Sequence, residues 1–474
     1  MYDLTGKQVL VIGLGVSGRS AAALLLRRGA MVHAVDAADN PALRQQLAPL
    51  IAQGATVQLG RMECPAHPLD LAVISPGIAT TIPLVAELHR REVPLIGELE
   101  LAFRVSVCLH IAITGTNGKT TTTELIENML TQSGRQTVAA GNIGLAACDV
   151  ADQSRDLDFL TLEASSFQLE TIQYFRPTVA VLTNLTPDHL DRYASMAEYI
   201  QAKARIFLNQ QVFDWAIIQS EALAQMRSMG IQIPSKVITY SANNRRADLY
   251  LERGLIVSQL PDWTGPLLSM EQCKVAGPHN AENLMAALAV SRVLRLPLKP
   301  VILALKNYAP APHRCEPVAE LGGVRYINDS KATNVDATAR AIESVAPAPA
   351  GEPNVWLIAG GKDKGFEYHD IGPLLSHRVK GAFLLGETRE KIRAAWSLFT
   401  PCHLVDSLAE AVRRAAEAAR PGDVVLLSPA CSSFDMFRNY QHRGDVFRQV
   451  VLELQAESAD ENRFAPCAKT GHRM

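Results

Sequence analysis

Residues 110–130, HIAITGTNGKTTTTELIENML, combine an apolar run, a glycine-containing loop, a lysine and a row of threonines. The loop from Gly115 to Thr120 has the form G-x-x-G-K-T, a shorter version of the G-x-x-x-x-G-K-[ST] phosphate-binding loop. Backbone N–H groups of such a loop bind phosphate oxygens, Lys119 can reach the outer phosphates, and Thr120 can offer its hydroxyl to Mg²⁺. A glycine turn that only starts a helix would not require Lys119. The pattern therefore predicts a nucleoside triphosphate site at Gly115, Thr116, Asn117, Gly118, Lys119, Thr120 and Thr121.

A second glycine pattern lies near the N-terminus, in VLVIGLGVSGRSAAALLL. Gly13, Gly15 and Gly18 have the G-x-G-x-x-G spacing between a predicted strand and a predicted helix, and Asp36 ends the next predicted strand. Such glycines let the backbone approach a diphosphate at a helix N-terminus. The pattern leaves open NAD, a nucleotide-sugar diphosphate and a tight turn without a ligand. Nothing downstream offers an obvious hydride-transfer site.

Composition and charge are those of an ordinary soluble protein. The 474 residues are 48% hydrophobic and 20% charged, and the formal net charge is −2. This charge excludes a bulk attraction to nucleic acid or anionic lipid. The eight cysteines are scattered and form no C-x-x-C pair, which indicates free thiols in a reducing cytosol.

The N-terminal residues show no signal-peptide pattern, and the apolar run LDLAVISPGIATTIPLV is interrupted by Ser75, Pro76 and Gly77. We therefore expect a cytoplasmic protein that neither binds nucleic acid nor inserts into a membrane. We also expect it to be a monomer.

Apolar β-type runs alternate with helical segments along the chain. Runs such as HIAITG, VAVLTNL and DVVLLSP are continuously apolar, which is typical of parallel strands buried on both faces. The repeated β–α order predicts an α/β class with doubly wound sheets. The segment 240–275 is less regular and predicts a small β excursion.

Two boundaries predict three domains. One lies near 100–108, and the other is the proline-rich connector NYAPAPHRCEP at 307–317. The expected domains are a Rossmann-like domain at 1–105, a P-loop ATPase-like domain at 106–311, a Rossmann-like α/β domain at 312–460 and a flexible polar tail at 461–474.

The stretch TGTNGKTTT resembles the ATP loop of the Mur ligase family, which also includes folylpolyglutamate synthetases. Further motifs follow in the family's order, so the resemblance covers essentially the whole chain. They are GNIG at 141–144, EASSFQLE from Glu163, NLTPDHLDRY at 184–193, YIQAKARIF around Lys203, GPHNAENLMAAL with Asn280 and Asn283, HRCE from His313, NDSKATN at 328–334 and SPACSSFDMFRNYQHRGDVF at 428–447.

The opening GKQVLVIGLGVSG, SPGI at 75–78 and the last two motifs are most similar to members that join D-glutamate to UDP-N-acetylmuramoyl-L-alanine. The resemblance implies an ATP- and Mg²⁺-dependent amide ligase of peptidoglycan precursor synthesis. It also implies the route, in which ATP phosphorylates the acceptor carboxylate and the D-glutamate amine attacks the acyl phosphate. Both reactants are anionic, so cations are needed at close quarters.

The resemblance implies catalytic roles for Lys119, Glu163, His189 and Lys203. Glu163 would hold Mg²⁺ with Thr120, His189 would hold a second ion, and Lys203 would be carbamylated by CO₂ to assist metal binding. From the residues alone, Glu163 could equally be a helix cap and His189 a structural histidine. Lys203 alone would be a solvated lysine on an amphipathic helix.

The remaining site residues are also implied by the resemblance. Asn280 and Asn283, one helical turn apart, would present their amides to adenine, and Arg314 and Asp329 would contact ATP from the third domain, so that catalysis depends on domain closure. The UDP-substrate residues would be Gly13, Gly15, Gly18, Ser75 and Asn142. The D-glutamate residues would be Lys331, Thr333, Lys364, Ser433 and Tyr440.

The chain departs from the family pattern at two places. Tyr440 stands where a phenylalanine is common, and Ala37-Ala38 stand where several relatives carry Thr-Arg near the uridine diphosphate. These departures bear on substrate affinity rather than on the type of reaction.

Three other hypotheses about the function stay open. Another amino-acid ligase of the family would use a different amino acid, an NAD-dependent oxidoreductase would change nicotinamide absorbance, and a non-catalytic regulator would bind ATP without turnover. The predicted ligase would release phosphate only with ATP, Mg²⁺, acceptor and amino acid together.

Overall fold

The computed structural model describes residues 2–189, 192–309, 312–348 and 351–464. Contacts divide the chain into two compact units, Met1–Leu185 with Ser195–Tyr308, and Thr186–Ala194 with Ala309–Met474. The described residues form three largely parallel sheets, two in the first unit and one in the second. This arrangement confirms the predicted α/β class.

The N-terminal sheet has the strand order β3-β2-β1-β4-β5, and its strands run parallel. The order reverses between β1 and β4, which is the crevice where doubly wound sheets bind ligands. The elements are β1 Gln8–Ile12, α1 Val16–Arg27, β2 Met31–Asp36, α2 Pro41–Ala52, β3 Thr56–Leu59, β4 Leu71–Ile74, α3 Pro83–Arg90, β5 Leu95–Gly97 and α4 Glu98–Val105.

The central sheet has the order β14-β13-β12-β11-β10-β9-β6-β8-β7. Its core strands are parallel and buried on both faces, as their continuous apolar runs predict. The elements are β6 Leu109–Thr114, α5 Lys119–Gln132, β7 Thr137–Gly141, α6 Ala147–Val150, β8 Phe159–Glu163, α7 Ser166–Leu169, β9 Val179–Leu182, α8 Met196–Ala204, β10 Trp215–Gln219, α9 Ser220–Ser228, β11 Lys236–Ser241, β12 Leu249–Glu252, β13 Leu255–Ser258, β14 Gly265–Ser269, α10 Pro278–Val293 and α11 Leu298–Asn307.

The expected β excursion at 240–275 is confirmed. β12, β13 and β14 form an antiparallel meander that extends the edge of the central sheet. The two residues between β12 and β13 are long enough only for a hairpin, so these strands pair antiparallel.

The sheet of the second unit has the order β15-β16-β20-β17-β18-β19, and only its β15–β16 pair is antiparallel among the described strands. The loops after β16, β17 and β20 therefore emerge at one edge. The elements are β15 Glu316–Leu321, β16 Val324–Asn328, α12 Val335–Ser344, β17 Val355–Gly360, α13 Gly372–Arg378, β18 Val379–Leu385, α14 Arg389–Trp396, β19 Cys402–Leu404, α15 Leu408–Ala418, β20 Val424–Leu427 and α16 Tyr440–Phe464.

The start of the predicted flexible tail is helical, because α16 continues to Phe464. Its alanines and glutamates favour a helix, so extending α16 through them costs little. Residues 465–474, which include Cys467, lie outside the described residues, as do 190–191 of NLTPDHLDRY and 310–311 of the connector. The described cysteines are free thiols, as expected. Within the described part of the chain, no helix combines the length and apolarity needed to cross a bilayer.

Candidate active site

The predicted triphosphate loop lies between β6 and α5, where residues 115–118 form a tight turn. Asn184, which follows β9, fixes this turn. Its carbonyl accepts the Thr116 N–H at 3.0 Å, its side chain accepts the Asn117 N–H at 2.9 Å, and its Nδ2 donates to the Asn117 carbonyl at 2.9 Å. Because β9 and β6 are neighbours in the sheet, a polar residue after one strand supports the loop after the other.

Lys119 begins α5 and folds over the turn. Its Nζ donates to the carbonyl oxygens of Gly115 at 2.9 Å and Thr116 at 2.7 Å. The ammonium group is therefore held at the turn whose N–H groups would bind phosphate oxygens.

Gly118 needs to be glycine for two reasons. Its φ of +82° lies in the left-handed region, and a Cβ there would lie 2.4 Å from Asn283 Oδ1. The buried Asn283 also accepts the Thr122 hydroxyl at 3.2 Å and donates to Asn280 Oδ1 at 3.3 Å. The structure thus brings Asn283 against the phosphate loop, with Asn280 beside it. Their predicted contact with adenine stays a prediction.

Glu163 ends β8 and is buried. Its Oε2 accepts the Thr120 hydroxyl at 2.7 Å, and its Oε1 accepts Asn142 Nδ2 at 2.9 Å. A carboxylate and a hydroxyl at the end of a strand, beside a phosphate loop, are the hard oxygen ligands that Mg²⁺ prefers. Thr120 and Glu163 therefore fit the predicted metal site, although no group of three or more His, Cys, Asp or Glu side chains among the described residues could hold an ion.

Lys203 lies on α8 and is buried, with 2% of its surface exposed. Its Nζ donates to the Gly115 carbonyl at 2.7 Å and lies 4.5 Å from the centre of the Tyr199 ring. The alternative of a solvated lysine on an amphipathic helix is therefore wrong. The structure brings Lys203 to the same carbonyl oxygen that Lys119 contacts.

The N-terminal glycine loop is tightly closed. A Cβ at Gly18 would lie 1.8 Å from the Gly13 carbonyl oxygen, so only glycine allows the helix to approach the strand here. The Ser75 hydroxyl donates to the same carbonyl at 2.7 Å. Asp36 accepts the Leu14 N–H at 2.6 Å, so its carboxylate supports the loop backbone. These predicted UDP-substrate residues lie together, except that Asn142 is at Glu163 in the central sheet.

His189 belongs to the second unit, whereas Lys119, Glu163 and Lys203 belong to the first. His189 has a φ of +56°, and its N–H donates to the Asp188 carboxylate at 2.9 Å. The same buried carboxylate accepts Asn334 Nδ2 at 3.2 Å and lies 3.7 Å from Lys364 Nζ. Asp188 therefore ties the histidine turn to two loops of the second unit.

The loops after β16, β17 and β20, together with the first residue of α16, carry the predicted D-glutamate residues. Lys331 Nζ lies 4.1 Å from the centre of the Tyr440 ring. Thr333 precedes Asn334, which shares Asp188 with Lys364. Ser433 is buried next to Ser432, whose carbonyl accepts the Lys362 N–H at 3.0 Å. The strand order, not the sequence spacing, brings these loops to one edge.

Asp329 follows β16 and is buried. Burial raises the pKa of its carboxyl to about 7, even though the Ser428 hydroxyl and the Cys315 N–H donate to it. The nearby positive charge of Arg314 opposes this rise in the pKa. The two predicted ATP contacts of the second unit are thus electrostatic neighbours.

Sequence reasoning missed three residues with structural roles at these sites: Asn184, Asp188 and Arg443. Arg443 is 2% exposed and donates to the carbonyl oxygens of Ser330 and Cys431, so it joins the loops after β16 and β20. Asn184 and Asp188 both precede the predicted His189 in NLTPDHLDRY. Two polar residues after the buried strand β9, Thr183 and Asn184, were the signal that could have identified Asn184.

Three family models match the chain in order. They are the Mur ligase MurD-like N-terminal domain at residues 7–97, the Mur ligase middle domain at 113–291 and the glutamate ligase domain of Mur ligases at 313–431. A relative from Acidobacterium capsulatum, named UDP-N-acetylmuramoylalanine--D-glutamate ligase, is 41% identical and covers 98% of this chain and 100% of its own. The chain belongs to the Mur ligase family.

Other relatives of this Mur ligase carry the same name. The relative from Koribacter versatilis is 38% identical, over 95% of this chain and 98% of its own. The relative from Pelotomaculum thermopropionicum is 39% identical, over 96% of this chain and 99% of its own. Two solved structures share the fold at lower identity. The MurF ligase of Thermotoga maritima in complex with ADP has a TM-score of 0.61 at 16% identity, over 96% of this chain and 100% of its own. MurC from the same organism has a TM-score of 0.59 at 17% identity, over 95% and 100%.

Proposed function

We propose that this Mur ligase adds D-glutamate to UDP-N-acetylmuramoyl-L-alanine with consumption of ATP, in cytoplasmic peptidoglycan precursor synthesis. The observation that carries the proposal is the 41% identity, over essentially the full length of both chains, to a relative named for that reaction. An NAD-dependent oxidoreductase is not favoured, because the chain is a Mur ligase.

The phosphate loop supports the ATP-dependent step. An amide cannot form readily from a free carboxylate in water, so the acceptor carboxylate takes the γ-phosphoryl group of ATP and becomes an acyl phosphate. Lys119 stabilises the negative charge that develops on the transferred group, because it lies at the turn that binds the phosphates. Mg²⁺, held by Thr120 and Glu163, would neutralise further phosphate charge.

Lys203 is proposed to carry a carbamate. Its Nζ is buried beside the Gly115 carbonyl, so a carbamate there would place a negative oxygen group near the loop in place of an ammonium. That change converts a cation that repels metal ions into a group that assists their binding. His189 is proposed as the ligand of a second ion.

The remaining predicted site residues are proposed to bind the substrates of this reaction. The N-terminal loop with Ser75 and Asn142 would bind the UDP-substrate. Asn280, Asn283, Arg314 and Asp329 would contact ATP, and Lys331, Thr333, Lys364, Ser433 and Tyr440 would bind D-glutamate. The corresponding domains would be 1–105, 106–311 and 312–460, in a monomer.

The proposed substrates can be tested with one set of assays. Purified protein is given ATP, Mg²⁺ and UDP-N-acetylmuramoyl-L-alanine, and phosphate release is measured with each of several D- and L-amino acids. D-Glutamate is expected to give the fastest release and an amide product. Faster turnover with another amino acid, or with an acceptor that already carries more amino acids, would assign the chain to a different step of the family.

A further inference from the structure

Asp149, on the short helix α6, joins two separate segments that carry predicted UDP-substrate residues. Its Oδ1 accepts the Ser20 hydroxyl at 2.6 Å, and its Oδ2 accepts the Ala146 N–H at 3.2 Å. Ser20 is buried on α1, two residues after Gly18 of the N-terminal glycine loop. Ala146 is the last residue of the loop 142–146 between β7 and α6, which we call the acceptor loop. One carboxylate therefore connects the helix behind the glycine loop with the acceptor loop.

The acceptor loop is held at both of its ends. At its start, the Asn142 N–H donates to the Glu163 carbonyl at 2.8 Å, which fixes the loop to the central sheet. At its end, where α6 begins, Asp149 accepts the Ser20 hydroxyl of α1, and Glu98 of α4 accepts a backbone N–H of α6. Helices α1 and α4 pack against the N-terminal sheet. The acceptor loop thus lies between the two sheets of the first unit, with Asp149 at its link to the glycine loop.

A second polar contact between the same segments lies away from both loops. Arg27 Nε lies 2.9 Å from a carboxylate oxygen of Asp152, which follows α6 in a short helical turn. Arg27 is nine residues after Gly18 on α1, which corresponds to roughly 13 Å along the helix. This contact joins the two segments at the far end of α1, so it provides a comparison for the contact made by Asp149.

A ligand that contacts two loops binds best when the loops are held at the matching separation, because the second contact then costs little further entropy. In the proposed substrate, the diphosphate would lie at the glycine loop. The carboxylate that receives the phosphoryl group must lie near Glu163, to which the acceptor loop is bonded. A looser link between the loops would weaken binding of the whole acceptor but not binding of UDP alone.

We propose that Asp149 is a positioning residue that holds the glycine loop and the acceptor loop at the separation required by one acceptor molecule. It acts through Ser20 on one side and Ala146 on the other. This inference rests on the proposed function and extends it, because it gives a role to a residue that lies outside both loops.

A double-mutant cycle tests the proposal. The acceptor KM and the inhibition constant of UDP are measured by phosphate release for the unmodified protein, Ser20→Ala, Asp149→Asn and the double variant. Asparagine has a single side-chain oxygen, so it cannot replace both oxygens of the carboxylate. Each single variant is expected to raise the acceptor KM by about 3- to 10-fold, with an unchanged inhibition constant of UDP. The double variant is expected to be no worse than Asp149→Asn, because the two hydrogen bonds act in series.

Arg27→Ala is the matched control. It removes the contact at the far end of α1 and is expected to leave the acceptor KM unchanged. Four results would overturn the inference: additive effects of the two substitutions, an unchanged acceptor KM in both single variants, an equal rise in the inhibition constant of UDP, or an equal rise in the acceptor KM of Arg27→Ala.

If Asp149→Asn does not fold, Ser20→Ala is compared with Arg27→Ala and the unmodified protein by calorimetric titration with the acceptor and with UDP. The ratio of the acceptor Kd to the UDP Kd is expected to rise only in Ser20→Ala. The same ratio in all three proteins would overturn this inference alone. Absence of any turnover of this acceptor by the unmodified protein would instead overturn the proposed function, and this inference with it.

Discussion

Asn142 and Glu163 are joined by two hydrogen bonds. The Asn142 N–H donates to the Glu163 carbonyl at 2.8 Å, and Asn142 Nδ2 donates to Glu163 Oε1 at 2.9 Å. The other carboxylate oxygen accepts the Thr120 hydroxyl at 2.7 Å. One buried side chain therefore connects the loop predicted to bind the acceptor with the loop predicted to bind ATP.

Replacing Asn142 with Ala is expected to raise the Mg²⁺ concentration needed for half-maximal activity as well as the KM for the acceptor. Glu163 then loses the donor that orients one oxygen of its carboxylate, and a hydrogen bond to a charged group contributes enough for roughly a tenfold change or more. The measurement is the Mg²⁺ concentration for half-maximal phosphate release, together with the acceptor KM. Leu145→Ala, an exposed position in the same loop, serves as the control. A higher acceptor KM with an unchanged Mg²⁺ requirement would contradict this coupling.

Gly118→Ala is expected to lower ATP affinity by about tenfold or more. A Cβ at Gly118 would lie 2.4 Å from Asn283 Oδ1, so either the turn or Asn283 must shift. Gly134 is a matched control, because its φ of +76° is similar but a Cβ there would meet nothing within 4 Å. ATP binding by calorimetry should separate the two variants. Equal losses in the two variants would contradict a specific effect of the Asn283 contact at Gly118.

Lys203→Ala is expected to lower kcat by about 100-fold or more, because the loop loses the group proposed to carry a carbamate. Short carboxylic acids added to this variant are expected to restore part of the activity, since they can occupy the space of the missing carbamate. The assay is phosphate release with and without added acid. Failure of every such acid to restore activity would count against the carbamate.

Glu98 is expected to make stability depend on pH. Its side chain is fully buried, Oε1 accepts the Cys148 N–H, and Oε2 has no hydrogen-bond partner. Burial raises the pKa of this carboxyl from 4.5 to about 7. The folded state therefore favours the protonated form of Glu98. Below about pH 4.5 this preference does not lower the free energy of unfolding. As the pH rises from 4.5 to 7, keeping Glu98 in the folded state costs an increasing amount, up to the order of 3 kcal/mol.

Glu98→Gln removes that cost. The difference in melting temperature between Glu98→Gln and the unmodified protein should therefore be larger, in favour of the variant, at pH 8 than at pH 5. Glu100 is the matched control on the same helix. Its carboxylate accepts the backbone N–H groups of residues 173–175 and pairs with Arg104 at 2.7 Å. Glu100→Gln should therefore destabilise at both pH values. A Glu98→Gln difference that is constant across this range would rule out titration of Glu98.

The sequence was sufficient for features that depend on local pattern. Continuous apolar runs predicted the parallel strands β6, β9 and β20, and the irregular segment 240–275 predicted the meander of β12 to β14. The position of Lys119 at the start of a helix follows from the glycine loop before it. In each case neighbouring residues determine the outcome, so no distant contact needs to be known.

Contacts between distant segments were not predictable in this way. Asp188 accepts Asn334 and lies near Lys364, and nothing in the sequence around Asp188 specifies which loops of the sheet lie beside it. Lys203 has a pattern typical of a solvated helix face, yet it is buried because the loop after β6 covers it. Such positions depend on strand order, which the local pattern does not contain.

The central claim is that the turn before Lys119 binds ATP, whose terminal phosphoryl group activates a carboxylate for attack by an amine. It is tested most directly by measuring phosphate and amide product together while ATP, Mg²⁺, UDP-N-acetylmuramoyl-L-alanine and D-glutamate are each withheld in turn, in the unmodified protein and in Lys119→Ala. We expect equal amounts of phosphate and product only with all four present, and neither at a comparable rate in Lys119→Ala. Product formed without ATP, or formed at the native rate by Lys119→Ala, would contradict the claim.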